Sequence, residues 1–191
     1  MITLADALND SANITKSVEL GTQALNTTGI ITAGGMIIPR PYGSFSHSAT
    51  VTLTGGTTAD AMPFDTDDIT NQITHSTSTN NSRIYVDVAG IYRIIFSLIA
   101  MGGTANKLFN CWLAVNGSNV ARTNTIRNLS TANVQRIITV EMMHGFTANQ
   151  YFEIMLWSNA TNTIIEATAA QSNPTRPACP GIILDINKLS A

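Results

Sequence analysis

Charge is what this sequence has least of. Charged residues fill 12% of its 191 positions, about half the ~25% of an average soluble domain, so solubility has to come from uncharged polar groups. A formal net charge of −2 offers no basic field to a phosphate backbone and argues against a nucleic-acid partner. Cysteine is nearly missing: Cys111 and Cys179 are the only two. That is far below the density of a disulfide-stapled domain; neither has a metal-ligating neighbour at ligand spacing, and both read as buried reduced thiols. No run approaches the ~18 consecutive apolar residues of a membrane-spanning helix. The richest, Ile94 to Met101, is interrupted by Ser97 and has the length of a strand. The opening residues meet Asp6 and Asp10 without a basic cluster, which does not read as a secretory leader. Catalytic wording is absent as well: there is no Gly-x-Ser-x-Gly, His-Glu-x-x-His or phosphate-binding glycine loop. His47, His75 and His144 stand far apart. The sequence reads as non-enzymatic and without a cofactor.

What is present points to strands. Hydrophobic residues reach 44%, and threonine and asparagine supply the polar remainder, threonine favouring strands and asparagine, with glycine, favouring turns. The length suits one ordinary domain with about forty residues to spare. Residues 1–44 read as an arm. Short extended pieces are punctuated by Gly21, Gly29 and Gly34-Gly35, too short to hold a core alone. Leu4, Leu8, Val18, Leu20, Leu25, Ile30, Ile31 and Ile37 are the apolar residues by which such an arm would attach to a partner surface. Pro39-Arg40-Pro41 reads as the boundary, and residues 45–191 as the domain.

Within the domain, strand and turn signals alternate at short intervals, as in a sandwich. Strands are expected over 45–53, 69–75, 83–88, 91–101, 107–115, 119–128, 134–143, 151–157 and 181–189, with an edge piece at 62–64 and a long loop over 159–180. Asn116-Gly117 is the strongest hairpin signal, since both central positions of the favoured turn need positive φ. An antiparallel sandwich should show one wet face per sheet, yet the 91–101 strand is apolar on both sides. Tyr92, Ile94, Phe96 and Leu98 lie on one face and Ile91, Ile95 and Ile99 on the other. Ile137-Ile138-Thr139-Val140 and Ile182-Ile183-Leu184-Asp185-Ile186 read the same way. Leaving some ~500 Å² of such a face in water would forgo about 12 kcal/mol at ~25 cal/mol per Å², comparable with the stability of a whole domain. Another copy of the same sheet, packed about a cyclic axis, is the economical cover, with the arm folded back as the alternative.

Four stretches carry a family resemblance: Phe45-Ser46, Phe64-Asp65 followed by Asn71, Val88-Ala89-Gly90-Ile91-Tyr92-Arg93-Ile94-Ile95-Phe96, and Val115-Asn116-Gly117 followed by Val120. With the last strand from Gly181, they resemble the tumour necrosis factor and complement globular-head superfamily over about residues 42–189. The resemblance implies an all-β, ten-stranded antiparallel jelly-roll sandwich that forms a homotrimer, here with an extended N-terminal arm. It places the strands at 91–101, 134–143 and 181–189 on the threefold axis and makes Tyr92, Ile94, Phe96, Leu98, Ile137, Val140, Ile183 and Ile186 the inner-sheet or trimer-interface residues. Ala148-Asn149-Gln150 departs from the Gly-Asp usual in the family before the penultimate strand.

Other candidate chemistry is thin. Asp65, Asp67 and Asp68 could offer oxygens to calcium, but the central glycine and terminal glutamate of a full loop are missing. Glu141 and Glu153 lie on different strands, with no cleft to make them a glycosidase pair. Trp112 and Trp157 project from outer-sheet strands, as core-edge packing or as a sugar platform. Residues 20–35 are similar to the glycine-punctuated repeats of tailed-phage fibre and decoration proteins. The expectation is therefore a trimeric capsid decoration or cement protein on a virion, its arm on the major capsid protein or another virion protein. The rival reading is a receptor-binding knob that recognises a host surface glycan or protein through the loops 76–81, 102–105 and 159–180.

Overall fold

The computed structural model describes residues 40–190; the arm residues Leu4, Leu8, Val18, Leu20, Leu25, Ile30, Ile31 and Ile37 lie outside them. Among the described residues there is no helix and there are sixteen strands. In chain order these are β1 Tyr42–His47, β2 Val51–Thr52, β3 Asp60–Ala61, β4 Thr66–Asn71, β5 Ile73–His75, β6 Ile84–Val86, β7 Gly90–Gly102 and β8 Lys107–Val115. There follow β9 Ser118–Asn119, β10 Thr125–Leu129, β11 Arg136–Phe146, β12 Gln150–Ser158, β13 Thr163–Ile165, β14 Gln171–Ser172, β15 Thr175–Arg176 and β16 Ile182–Ser190.

The strands form two seven-stranded antiparallel sheets and a small β14–β15 hairpin. The first sheet is centred on β7, which pairs with β11 along one side and with β16 and then β13 along the other. Beyond β16 lie β1 and β4, and beyond β13 lies β2. The second sheet runs β10-β8-β12-β6-β5, with β9 on β8 and β3 on β12. Successive strands cross repeatedly between the sheets, so β1 pairs with β16 from the far end of the chain, Tyr42 opposite Asn187. Because side chains alternate along a strand, each sheet turns one row inward. Tyr92, Ile94, Phe96 and Leu98 of β7, Phe45 of β1 and Ile182, Leu184 and Ile186 of β16 meet Phe109, Cys111 and Leu113 of β8 and Phe152, Ile154 and Leu156 of β12 in one buried cluster. Two aromatic groups run through it, Phe45–Phe64–His75 and Tyr92–Phe146–Phe152, with neighbouring rings edge-on or tilted. The Tyr92 hydroxyl donates to the Val88 carbonyl at 2.6 Å, which satisfies the polar end of a ring otherwise in the core.

The Asn116-Gly117 signal marks a two-residue hairpin. Val115 pairs with Ser118 across it, both turn residues have positive φ (49° and 77°), and the Asn116 side chain accepts the Tyr151 N–H at 3.1 Å. Elsewhere the chain is cut more finely than the periodicity suggests. The expected 69–75 strand breaks at Gln72, φ 54°, where the chain leaves the first sheet as β4 and enters the second as β5. The 45–53 strand divides into β1 and β2, and 119–128 into β9 and β10. The loop expected over 159–180 contains β13, where Ile164 and Ile165 pair with Met101 and Ala100. These pieces are two to six residues long, and so short a run has no periodicity of its own; its partner strand decides it. β1 opens at Tyr42, so the folded unit begins ahead of the 44/45 boundary.

Phe96 is 1% exposed at the centre of this core. Phe96→Ala is expected to cost about 3–5 kcal/mol, read as a lowered urea midpoint with an unchanged slope; a cost below ~1 kcal/mol would mean the two sheets are not close-packed here.

Candidate self-association face

The same alternation that buries Tyr92, Ile94, Phe96 and Leu98 turns Ile91, Arg93, Ile95, Ser97, Ile99 and Met101 away from the core. Register extends this outer face across five strands. Glu141, Ile95, Asp185, Ser44 and Ile69 form one row over β11, β7, β16, β1 and β4. Met143, Arg93, Asn187, Tyr42 and Asn71 form the next, and Thr139, Ser97, Ile183, Ser46 and Thr66 the row on its other side. Ile137 stands opposite Ile99 at one end and Gly145 opposite Ile91 at the other. Ile137 and Met143 are 72% and 69% exposed, Ile183 and Ile91 45% and 44%.

Two pairs of polar groups on this face answer one another. The Arg93 guanidinium grips Glu141 through two bonds, Nε to Oε1 at 2.7 Å and a terminal nitrogen to Oε2 at 3.0 Å. That fork holds the Glu141 carboxyl below the usual carboxylate range and the guanidinium above its own. Ser97 and Thr139 share a hydroxyl hydrogen bond of 2.8 Å. Asp185 stands outward in the same row as Glu141 and, among the described residues, is in no ion pair, so the face presents isoleucine and methionine around a polar middle that is only partly paired.

All eight residues assigned to the inner sheet or trimer interface lie on β7, β11 and β16, but they point two ways. Tyr92, Ile94, Phe96, Leu98 and Ile186 are buried inside their own chain, and half-buried Val140 packs on the same core. Ile137 and Ile183 are the two that stand outward. The residues available to a second copy are therefore Ile91, Ile95, Ile99, Ile137, Met143 and Ile183. The expectation of three strands apolar on both faces also needs correcting: β11 and β16 put Thr139, Glu141, Asp185 and Asn187 outward. In an Ile-Ile pair each face receives one residue, so the pair by itself does not make both faces apolar.

The remaining candidates stay apart. Glu153 lies in the second sheet, accepting from the Ser82 hydroxyl at 2.7 Å with Arg83 Nε at 3.6 Å, on another sheet from Glu141. Burial pushes Asp65 up, but hydrogen bonds from the Ser48 hydroxyl and N–H and the Thr66 hydroxyl, with His47 nearby, outweigh it and leave the carboxyl below its ordinary value. Asp67 instead meets His75 Nδ1 at 2.6 Å. Asp65 and Asp67 thus have separate neighbours, Asp68 is exposed on β4, and among the described residues no three His, Cys, Asp or Glu converge as metal ligands. His47 Nδ1 is 3.4 Å from Asp65 without hydrogen-bond geometry. Cys111 is buried, its thiol pushed up to about 12 by burial, whereas Cys179 is exposed; the expectation that both are buried fails because Cys179 lies beyond β13, outside the sheet strands, bridged only to Thr168. Trp112 and Trp157 lie together on the outer face of the second sheet.

No family model matches the sequence, and no curated protein matches it. Among solved structures, the crystal structure of murine APRIL at pH 5.0 aligns with 78% of this chain and 99% of its own, with a TM-score of 0.51 at 9% identity. The crystal structure of murine APRIL at pH 8.5 gives a TM-score of 0.49 over the same coverage and identity. At such identity the first likeness shows the fold alone: the sandwich is a jelly roll of the tumour necrosis factor type.

Two outcomes follow from the titrating groups. His144, edge-on to Phe146 at 4.8 Å, has its pKa lowered from 6.5 by burial. The unfolded chain then binds the proton more readily, so stability is full above pH 6.5 and falls as the pH drops through the folded value. His144→Asn should flatten the fall of the urea midpoint between pH 7 and pH 5; an unchanged slope would remove His144 as its source. Iodoacetamide on the native protein should label Cys179 and leave Cys111 untouched, with mass spectrometry of peptides as the readout.

Proposed function

We propose that this chain is a non-enzymatic structural protein that works as a homotrimer, with the outer face of the first sheet turned toward the threefold axis. The observation that carries this reading is the set of outward isoleucines and methionines on β7, β11 and β16, around an Arg93–Glu141 pair joined by two hydrogen bonds. A face of this composition favours a partner surface over solvent, and a second copy supplies the same face at the required concentration. The likeness to the APRIL jelly roll supports the domain as the associating unit. The further reading, that residues 1–44 attach the trimer to the shell of a tailed phage as a decoration protein, rests on the glycine-punctuated segment 20–35. Three weak arms on one trimer would bind neighbouring shell subunits by multivalency.

Sedimentation equilibrium tests the assembly. The protein is expected to run as three copies of its 20.4-kDa chain, and Ile137→Glu with Ile183→Glu, both at exposed positions, to run as one folded copy. A wild-type protein that stays single at micromolar concentration overturns the reading. Deleting residues 1–39 should leave the three-copy mass intact and abolish co-sedimentation with shells; a truncated protein that still co-sediments removes the arm from the mechanism.

A further inference from the structure

Trp112 and Trp157 are the only tryptophans in the chain, and both line one open depression of about 350 Å³ on the outer face of the second sheet. Register explains the meeting. β8 turns Asn110 and Trp112 outward while Phe109, Cys111 and Leu113 fill the core, and β12 sets Trp157 opposite Asn110. β9 adds Asn119 to the lining, and the turn after it adds Arg122 and Asn124.

The site is held in shape by its own hydrogen bonds. Trp112 donates its indole N–H to the Asn119 side-chain oxygen at 2.6 Å, and Trp157 donates its own to the Gly56 carbonyl at 2.7 Å. Each ring is thus tied by its polar edge. The Gly56 acceptor sits in a turn where Gly55 and Gly56 both have φ of 67° and where a Cβ on Gly55 would lie 2.5 Å from the Ala160 carbonyl oxygen. The opposite turn is tied to β8 by Thr123, whose hydroxyl accepts the Leu113 N–H at 3.1 Å and donates to the Val120 carbonyl at 2.8 Å. In that turn Arg122 holds a left-handed φ of 68°, a conformation that costs a non-glycine residue free energy and collects where a ligand is gripped. Among the described residues Arg122 pairs with no carboxylate, and no acidic residue lines the depression.

Two fixed indoles, three primary amides and an unpaired guanidinium suit one ligand chemistry. The apolar C–H face of a pyranose packs on an aromatic face, its hydroxyls need groups that both donate and accept, which asparagine amides do, and a guanidinium takes a carboxylate through two parallel bonds. The volume lies at the small end of ligand sites, ~300–1,000 Å³, enough for a sugar residue and too little for a peptide helix. We infer that the Trp112–Trp157 depression binds a saccharide carrying a carboxylate, with the ring on the indoles and the acid on Arg122. This stands independently of the trimer, whose axis face is on the other sheet, and lies away from the loops 76–81, 102–105 and 159–180. Exposed Leu108 and Ile126 flank it and would be the contacts if a protein bound here instead.

Because both tryptophans are in the site, intrinsic fluorescence of the unmodified full-length protein reads it directly. Titration with glucuronic acid and with N-acetylneuraminic acid should give a saturable change in emission, at least ten-fold tighter than with methyl glucoside as the neutral comparator. Arg122→Gln should erase that preference while leaving weak binding, and Trp157→Phe should weaken both acids. Ile126→Ser on the flank should change nothing. No saturable change with either acid, equal affinity for the neutral sugar, or binding that survives both Arg122→Gln and Trp157→Phe overturns the assignment. A loss caused by Ile126→Ser alone would point to a protein-type surface and overturn it as well.

Discussion

Strand β7 is hydrogen-bonded on both sides and runs through the middle of the first sheet, and the rest of the molecule is arranged around that fact. A strand paired on both edges cannot rotate, so its two rows of side chains go to opposite faces without compromise. Tyr92, Ile94, Phe96 and Leu98 fill the space between the sheets. Ile91, Ile95 and Ile99 are forced to the other side by the same geometry. A one-residue slip would exchange the rows and bring Arg93 and Ser97 into the core, so register is strongly specified here. The outer face is thus an obligatory consequence of how the inner one is packed.

The two sheets meet this constraint differently on their outward sides. The first pairs Arg93 with Glu141 and Ser97 with Thr139 across β7 and β11, which keeps polar groups in the plane of the sheet and leaves the aliphatic side chains standing above it. The second binds the edges of its exposed indoles to Asn119 and Gly56 and surrounds them with amides. The first surface pairs some of its polar groups and leaves Asp185 and Asn187 outward; the second keeps asparagine and arginine groups facing an open depression. The physical distinction is between exposed aliphatic side chains, which the proposed assembly would cover, and fixed aromatic rings among amides, which the proposed ligand would meet.

Much of this was visible in order along the chain. The long runs at 91–101, 107–115 and 151–157 carry enough alternation to declare themselves, and the Asn116-Gly117 turn carries its own backbone requirement. The short pieces did not declare themselves: Thr163-Ile164-Ile165 is a strand only because Met101 and Ala100 present open hydrogen-bonding groups beside it. Trp112 and Trp157 were each readable as outward residues, yet they are forty-five positions apart, and only the β8–β12 register brings them to one depression. Arg122 had no mark at all, since a left-handed arginine in a turn has no sequence signature.

Composition and periodicity by themselves determined that the described domain is all-β, that its core strands are the apolar alternating ones, and that one strand carries more aliphatic surface than a single core can use. Those are properties of local spacing, which a strand obeys wherever it is placed. The tertiary structure alone decided which of two apolar rows became the core, which glutamate met Arg93, and which side chains share the tryptophan depression. Each of these depends on pairing between segments distant along the chain, and the free energy that selects a pairing comes from burial and hydrogen bonds that exist only after the strands have met.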